Sequence, residues 1–220
     1  MDNKQVRQVI ISDKEISLSP DLFVGRGRHK ECYRYPGNSE LCIKIPYNEE
    51  GISDLNCEID YLNRISGKNL DYSVLPAYYV PVKTNKGEGY VYEFITNYDK
   101  SACLTVKDIL RDTALLEKYY DQLIEKLKLL HQTLLDNLII TMGLFPENII
   151  VQYVAPDETK LRLVNDIGCT TFIRLSYYFE FFAKRHIEKR WQRFSKNLID
   201  RHYSGRYPSP LVAELGKKIR

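Results

Sequence analysis

The chain has 220 residues, 44% of them hydrophobic, and a formal net charge of +3 at pH 7. That length admits one domain or two small lobes sharing a core, and that apolar content excludes global disorder. A total charge so near neutral speaks against a nucleic-acid partner, and five scattered cysteines without a C-x-x-C pair argue against a disulfide framework or a zinc site.

Residues 1–95 read mostly as strands. Val9-Ile10-Ile11 and Asp21-Leu22-Phe23-Val24 are short apolar runs ahead of a glycine-rich turn. Glu31 to Tyr35 alternates, Pro36-Gly37-Asn38 turns the chain, and Leu41 to Ile45 completes an antiparallel hairpin. Ser53 is the expected N-cap of a helix whose apolar stripe is Leu55, Ile59, Leu62 and Ile65, ending at Gly67. Tyr78 to Val82 and Gly89 to Ile95, split by Thr84-Asn85-Lys86-Gly87, form a second hairpin.

After Tyr98 the composition shifts. Thr105 to Arg111 and Ala114 to Asn137 are helical in pattern, with Leu116, Tyr119, Leu123, Leu127, Leu130 and Leu134 on one face. Two apolar strands flank Tyr153 to Lys160, a polar connection containing Pro156 and Asp157. From about Leu175 the chain reads as an aromatic and basic helix ending in a proline-bearing tail. A strand-rich half with one helix followed by a helix-rich half with a central hairpin predicts an α+β fold. The opening Met1-Asp2-Asn3-Lys4-Gln5 carries no apolar run of signal-peptide type, and no window approaches the roughly 20 apolar residues of a membrane span. Reduced thiols in a cytoplasm are therefore expected.

Gly25 and Gly27 match the first two glycines of G-x-G-x-x-G-x-V, with Lys30 in the third glycine slot and Cys32 in the Val slot. Such glycines bring backbone amides close to phosphate oxygens. A dinucleotide-binding turn needs a helix straight after them, whereas strands flank these on both sides, which favours a kinase-type loop. Lys44 ends Leu41-Cys42-Ile43-Lys44, similar to V-A-I-K. A cation between apolar neighbours needs a partner or ligand to offset desolvation. In kinases these are a phosphate and a Glu on the next helix, the place Glu58 takes here. Tyr92-Glu93-Phe94-Ile95 resembles the kinase hinge, where backbone groups, here those of Glu93 and Ile95, would hold adenine.

Thr141 to Val151 and Leu163 to Gly168 resemble the catalytic loop H-R-D-L-x-x-x-N and the metal-binding D-F-G turn. On that pattern Asn148 would ligate magnesium, and Asp166 would bridge the metal to phosphates. Counting back from Asn148, the slot of the catalytic Asp holds Gly143, and Thr141 and Met142 replace His and Arg. No side chain there accepts the substrate hydroxyl proton, a loss of about 10²- to 10⁴-fold in rate. After Gly168 no A-P-E segment follows, and the chain is too short for a full helical C-lobe.

From Gly25 to Phe194 the sequence resembles the YrbL family of bacterial kinase-like proteins, named for the PhoP regulatory network. The resemblance is carried by Gly25 to Lys30, Cys42-Ile43-Lys44, Gly89-Tyr90-Val91-Tyr92, Ile140 to Ile149, Ile167-Gly168 and Arg190-Trp191-Gln192-Arg193-Phe194. It implies a single kinase-like domain, compact and bilobal, with an N-lobe of about residues 1–95 and a reduced helical C-lobe of about 96–220. It further implies a link to bacterial envelope-stress or magnesium-responsive regulation. The expectation is a protein that binds ATP and magnesium through Gly25, Gly27, Lys44, Glu58, Glu93, Ile95, Asn148 and Asp166, with weak or non-standard phosphotransfer. The alternative is a non-catalytic pseudokinase acting through its surface or its basic C-terminal helix. That helix, Ser176 to Ile199, could meet an acidic partner or anionic surface, or simply pack through Trp191 and Phe194 with a solvated cationic face. His131 and His186 join no ligand cluster.

Overall fold

The computed structural model describes residues 15–66, 71–168 and 175–220; Val9-Ile10-Ile11, the expected helix stop at Gly67 and Cys169 lie outside them. The architecture is α+β, a strand-rich sheet region with several helices. It divides into two units, one of Met1–Asn63 with Pro76–Ile95 and one of Arg64–Leu75 with Thr96–Arg220.

In the first unit, five antiparallel strands run in the order β1-β2-β3-β5-β4. They are β1 (Phe23–Arg26), β2 (Lys30–Tyr35), β3 (Asn38–Pro46), β4 (Tyr78–Thr84) and β5 (Gly87–Glu93), and both expected hairpins form. Side chains alternate across a strand, so register decides what each face carries. Tyr33, Leu41, Ile43, Ile45 and Val91 bury one face with Leu18 in an apolar cluster. The pairs Cys32↔Lys44, Arg34↔Cys42, Cys42↔Tyr92 and Lys44↔Tyr90 put Lys30, Cys32, Cys42, Lys44, Tyr90 and Tyr92 on the other face.

Helix α1 (Glu49–Ile65) starts ahead of the expected Ser53, which is exposed inside it. The reason is Asn48, whose Oδ1 accepts from the Gly51 amide at 2.8 Å, with Glu49 and Glu50 in the first turn, where acidic side chains suit the helix dipole. Gly51 is fixed by space: a Cβ there would lie 2.2 Å from the His29 carbonyl oxygen, so the β1–β2 loop sits directly on the helix start. The stripe α1 buries is Leu55, Glu58, Tyr61, Leu62 and Ile65, while Ile59 is half-buried. Glu58 therefore stands inside the apolar face.

The second unit holds a three-stranded antiparallel sheet, β6 (Leu104–Thr105), β7 (Ile149–Ala155) and β8 (Glu158–Leu163). Its helices are α2 (Val106–Arg111), α3 (Thr113–Asp136), α4 (Glu180–Tyr203) and α5 (Leu211–Lys218). Thr105 and Asp108 form a reciprocal capping box on α2, and Asp112 caps α3 by accepting from Leu115. Leu116, Leu123, Leu127, Leu130 and Leu134 bury the expected face of α3. The β7–β8 connection shrinks to a turn at Pro156-Asp157, because Tyr153 pairs with Thr159 and Ala155 with Glu158 as strand. The tail is not irregular: α5 packs on α4, and the Trp191 indole, 0% exposed, donates to the Ile219 carbonyl at 2.7 Å. Leu211, Val212 and Leu215 carry helical periodicity beyond Pro210, in a run of eight residues too short to stand out from its prolines. Among the described residues no helix is long and apolar enough to cross a membrane.

Candidate functional site

The first unit places Lys44 and Glu58 together. Lys44 Nζ donates to Glu58 Oε1 at 2.8 Å and lies 4.0 Å from the centre of the Tyr92 ring. Both charges are buried, Lys44 at 6% exposure and Glu58 at 0%. A second cation is present: Lys30 Nζ stands 3.7 Å from Glu58 Oε2. Burial pushes the Glu58 carboxyl up, but the charges of Lys44 and Lys30 outweigh it and hold the group below the usual carboxylate range. Desolvation and the Glu58 charge push the Tyr92 phenol well above its ordinary value, so it stays protonated. A hydrogen bond with the Cys42 thiol lowers the Cys32 thiol against its own burial, helped by the fields of Lys44, Arg34 and Lys30. This face of the sheet is electropositive.

The β1–β2 loop is closed by Gly27 N–H donating to the Lys30 carbonyl at 2.9 Å. The Tyr47 hydroxyl reaches the carbonyls of Gly27 and Arg28. Neither Gly25 nor Gly27 adopts positive φ, a Cβ at Gly25 would meet nothing within 4 Å, and one at Gly27 would meet only the Lys30 oxygen at 3.5 Å. The fold does not demand glycine at either position, which leaves room for close approach of a ligand to the backbone. At the hinge-like segment, the Glu93 amide donates to the Ala77 carbonyl at 2.9 Å and the Glu93 carboxylate accepts from the Ala77 amide at 3.1 Å. The Glu93 amide is thus committed within the sheet, and its carbonyl accepts from the Cys42 thiol at 3.7 Å. Ile95, just past β5, is buried.

The second unit joins Asn148 and Asp166. Asn148 ends a short 3₁₀ turn, Pro146–Asn148, and its Nδ2 donates to Asp166 Oδ2 at 2.6 Å. Asn165 Nδ2 donates to Asn148 Oδ1 at 3.3 Å. Asp166 has φ 59°, a left-handed conformation that Asp tolerates better than most residues and that the surroundings enforce. Its carbonyl accepts from the Met142 amide at 2.6 Å, Thr141 bridges Ile167, and the Gly168 amide donates to the Ile140 carbonyl at 2.8 Å. A carboxylate and an amide oxygen held this way are hard donors. They fit magnesium, which takes one or two protein oxygens and completes its shell with water and phosphate.

Gly143 is crowded by a neighbouring ring. A Cβ there would lie 2.5 Å from Phe145 Cε2 and 3.1 Å from Cζ, so the Phe145 ring fills the space a side chain would need. Thr141 and Met142, in the His and Arg slots, act as a backbone clamp on the Asp166 turn. His186 on α4 ties down that clamp, donating from Nε2 to the Thr141 carbonyl at 2.8 Å. Burial lowers the His186 pKa, with Arg190 and Lys189 adding to the effect and the carbonyl opposing it, so the ring is neutral at pH 7.

Sequence reasoning missed Lys30, Tyr92, Phe145 and His186 as neighbours of these groups. Strand alternation outward from Lys44 could have found the first two; no local signal points to the others. Along α4, Lys184, Arg185, Lys189, Arg193 and Lys196 face solvent while Ala183, Ile187, Trp191, Phe194 and Leu198 are buried.

A family model described as PhoP regulatory network protein YrbL matches residues 16–199. The YrbL proteins of Escherichia coli strain K12 and of Shigella flexneri are each 33% identical to this chain over 181 residues, covering 81% of it and 86% of each relative.

Proposed function

From the premise that the chain belongs to the YrbL family of PhoP regulatory network proteins, we propose that it serves that network as a kinase-like protein that binds Mg-ATP. The observation that carries this reading is the buried Lys44–Glu58 pair. An ion pair so far from water gives little net stability, because desolvation offsets the attraction, so its retention calls for another use. Lys44, oriented by Glu58, is suited to hold nucleotide phosphates, with the open backbone at Gly25 and Gly27 beside them and adenine at Glu93 and Ile95. Asn148 and Asp166 supply oxygens for the metal. Magnesium, when bound, would neutralise charge on the phosphate oxygens.

With Phe145 filling the position beside Gly143, no carboxylate there can accept a hydroxyl proton, and phosphotransfer is slow at most. That favours, as a second reading, a regulatory nucleotide sensor that transfers no phosphate, with the solvated cationic face of α4 open to an acidic partner. Thermal denaturation tests nucleotide binding. Mg-ATP at 100-fold above Kd should stabilise the fold by about 2.7 kcal/mol. Lys44→Met and Asp166→Asn should each remove most of that gain. No shift in the wild type at millimolar Mg-ATP would overturn the reading.

A further inference from the structure

Lys30 is a second cation beside the Glu58 carboxylate. Its side chain is 12% exposed, and its Nζ lies 3.7 Å from Glu58 Oε2, beyond hydrogen-bond reach. Lys44 already takes Glu58 Oε1 at 2.8 Å. Lys30 Nζ, Glu58 Oε2 and the Tyr92 hydroxyl are all buried without a hydrogen-bond partner. A buried ammonium group that no acceptor satisfies is costly. The arrangement calls for an anion whose oxygens accept from Lys30. Register places Lys30 on the same face of the sheet as Lys44, at the foot of the Gly25–Gly27 loop.

We propose that Lys30 is a second phosphate ligand, binding the polyphosphate chain of the nucleotide beside Lys44. This rests on the nucleotide reading above and extends it. A glycine in the third slot of the loop would leave phosphate contact to backbone amides, whereas Lys30 answers with a full charge and three donors. Adenosine, lacking phosphate, has no use for it.

The test is equilibrium binding of Mg-ATP, Mg-ADP and adenosine to the full chain as wild type, Lys30→Gln, Lys30→Arg and Lys44→Met. Lys30→Gln should weaken Mg-ATP and Mg-ADP by about 10- to 100-fold. Adenosine affinity should not change, and Lys30→Arg should restore most of the loss. Melting temperatures without nucleotide should stay close to wild type in both Lys30 variants. If Lys30→Gln binds Mg-ATP as tightly as wild type while Lys44→Met does not, this inference falls and the nucleotide reading stands. If the wild type binds no Mg-ATP, the nucleotide reading falls and takes this inference with it. A Lys30→Gln protein that melts lower yet keeps its affinity would assign Lys30 to holding Glu58 and overturn the proposal. An equal loss for adenosine would overturn it too.

Discussion

Introducing a carboxylate by Gly143→Asp meets a steric obstacle, not a conformational one. Gly143 does not adopt positive φ, so any L-residue suits its backbone. The added Cβ would stand 2.5 Å from Phe145 Cε2 and 3.1 Å from Cζ, so the half-buried ring must move. Overpacking of this kind costs about 1–3 kcal/mol, which for a chain of this size lowers the melting temperature by about 2–12 °C. Phe145→Ala in the same chain opens the space and should recover most of the Gly143→Asp loss, a non-additivity readable in a double-mutant cycle. Thermal denaturation of wild type, both single variants and the double variant measures it. Any gain in magnesium-dependent phosphotransfer should appear in the double variant and not in Gly143→Asp alone. Additive effects of the two substitutions, or a Gly143→Asp protein as stable as wild type, would refute the packing argument.

Glu58→Gln removes the carboxylate that Lys44 and Lys30 share and should destabilise by about 3–5 kcal/mol in denaturant titration. Because the folded Glu58 carboxyl titrates below its unfolded value, its contribution is complete above about pH 4.3 and is lost as pH falls through the folded pKa; the variant should lack that part of the acid limb. The depressed pKa of His186 acts at higher pH: stability should fall as pH drops below about 6.5, where the unfolded histidine binds its proton first, and His186→Gln should flatten that slope. Trp191→Ala removes a fully buried ring and the donor to the Ile219 carbonyl and should cost about 3–5 kcal/mol, whereas Lys189→Glu with Arg193→Glu, both exposed, should change stability by less than about 0.5 kcal/mol each.

Much of the secondary structure was legible because it rests on local periodicity. The two hairpins of the first unit and the leucine face of α3 follow from residues within a few positions of one another. The start of α1 was misplaced because Asn48 competes with Ser53 as a cap, and only the approach of the His29 carbonyl to Gly51 decides between them. The β7–β8 turn was drawn too long because polar residues that pair as strand look like loop in the sequence. At the candidate site, motif order named Lys44, Glu58, Asn148 and Asp166, and the structure pairs them within hydrogen-bond distance, Lys44 with Glu58 and Asn148 with Asp166. What motif order could not show is what fills a departure from it. The ring of Phe145 beside Gly143, the grip of His186 on Thr141 and the position of Lys30 opposite Glu58 each depend on three-dimensional packing.

Calorimetric titration of the full chain with ATP, with magnesium and with the metal chelated, tests the central claim most directly. The account predicts saturable binding with one nucleotide per chain, weakened at least tenfold by chelation and to a similar extent by Asp166→Asn in the presence of magnesium. Absence of binding at millimolar nucleotide, or binding indifferent to both magnesium and Asp166, would contradict it.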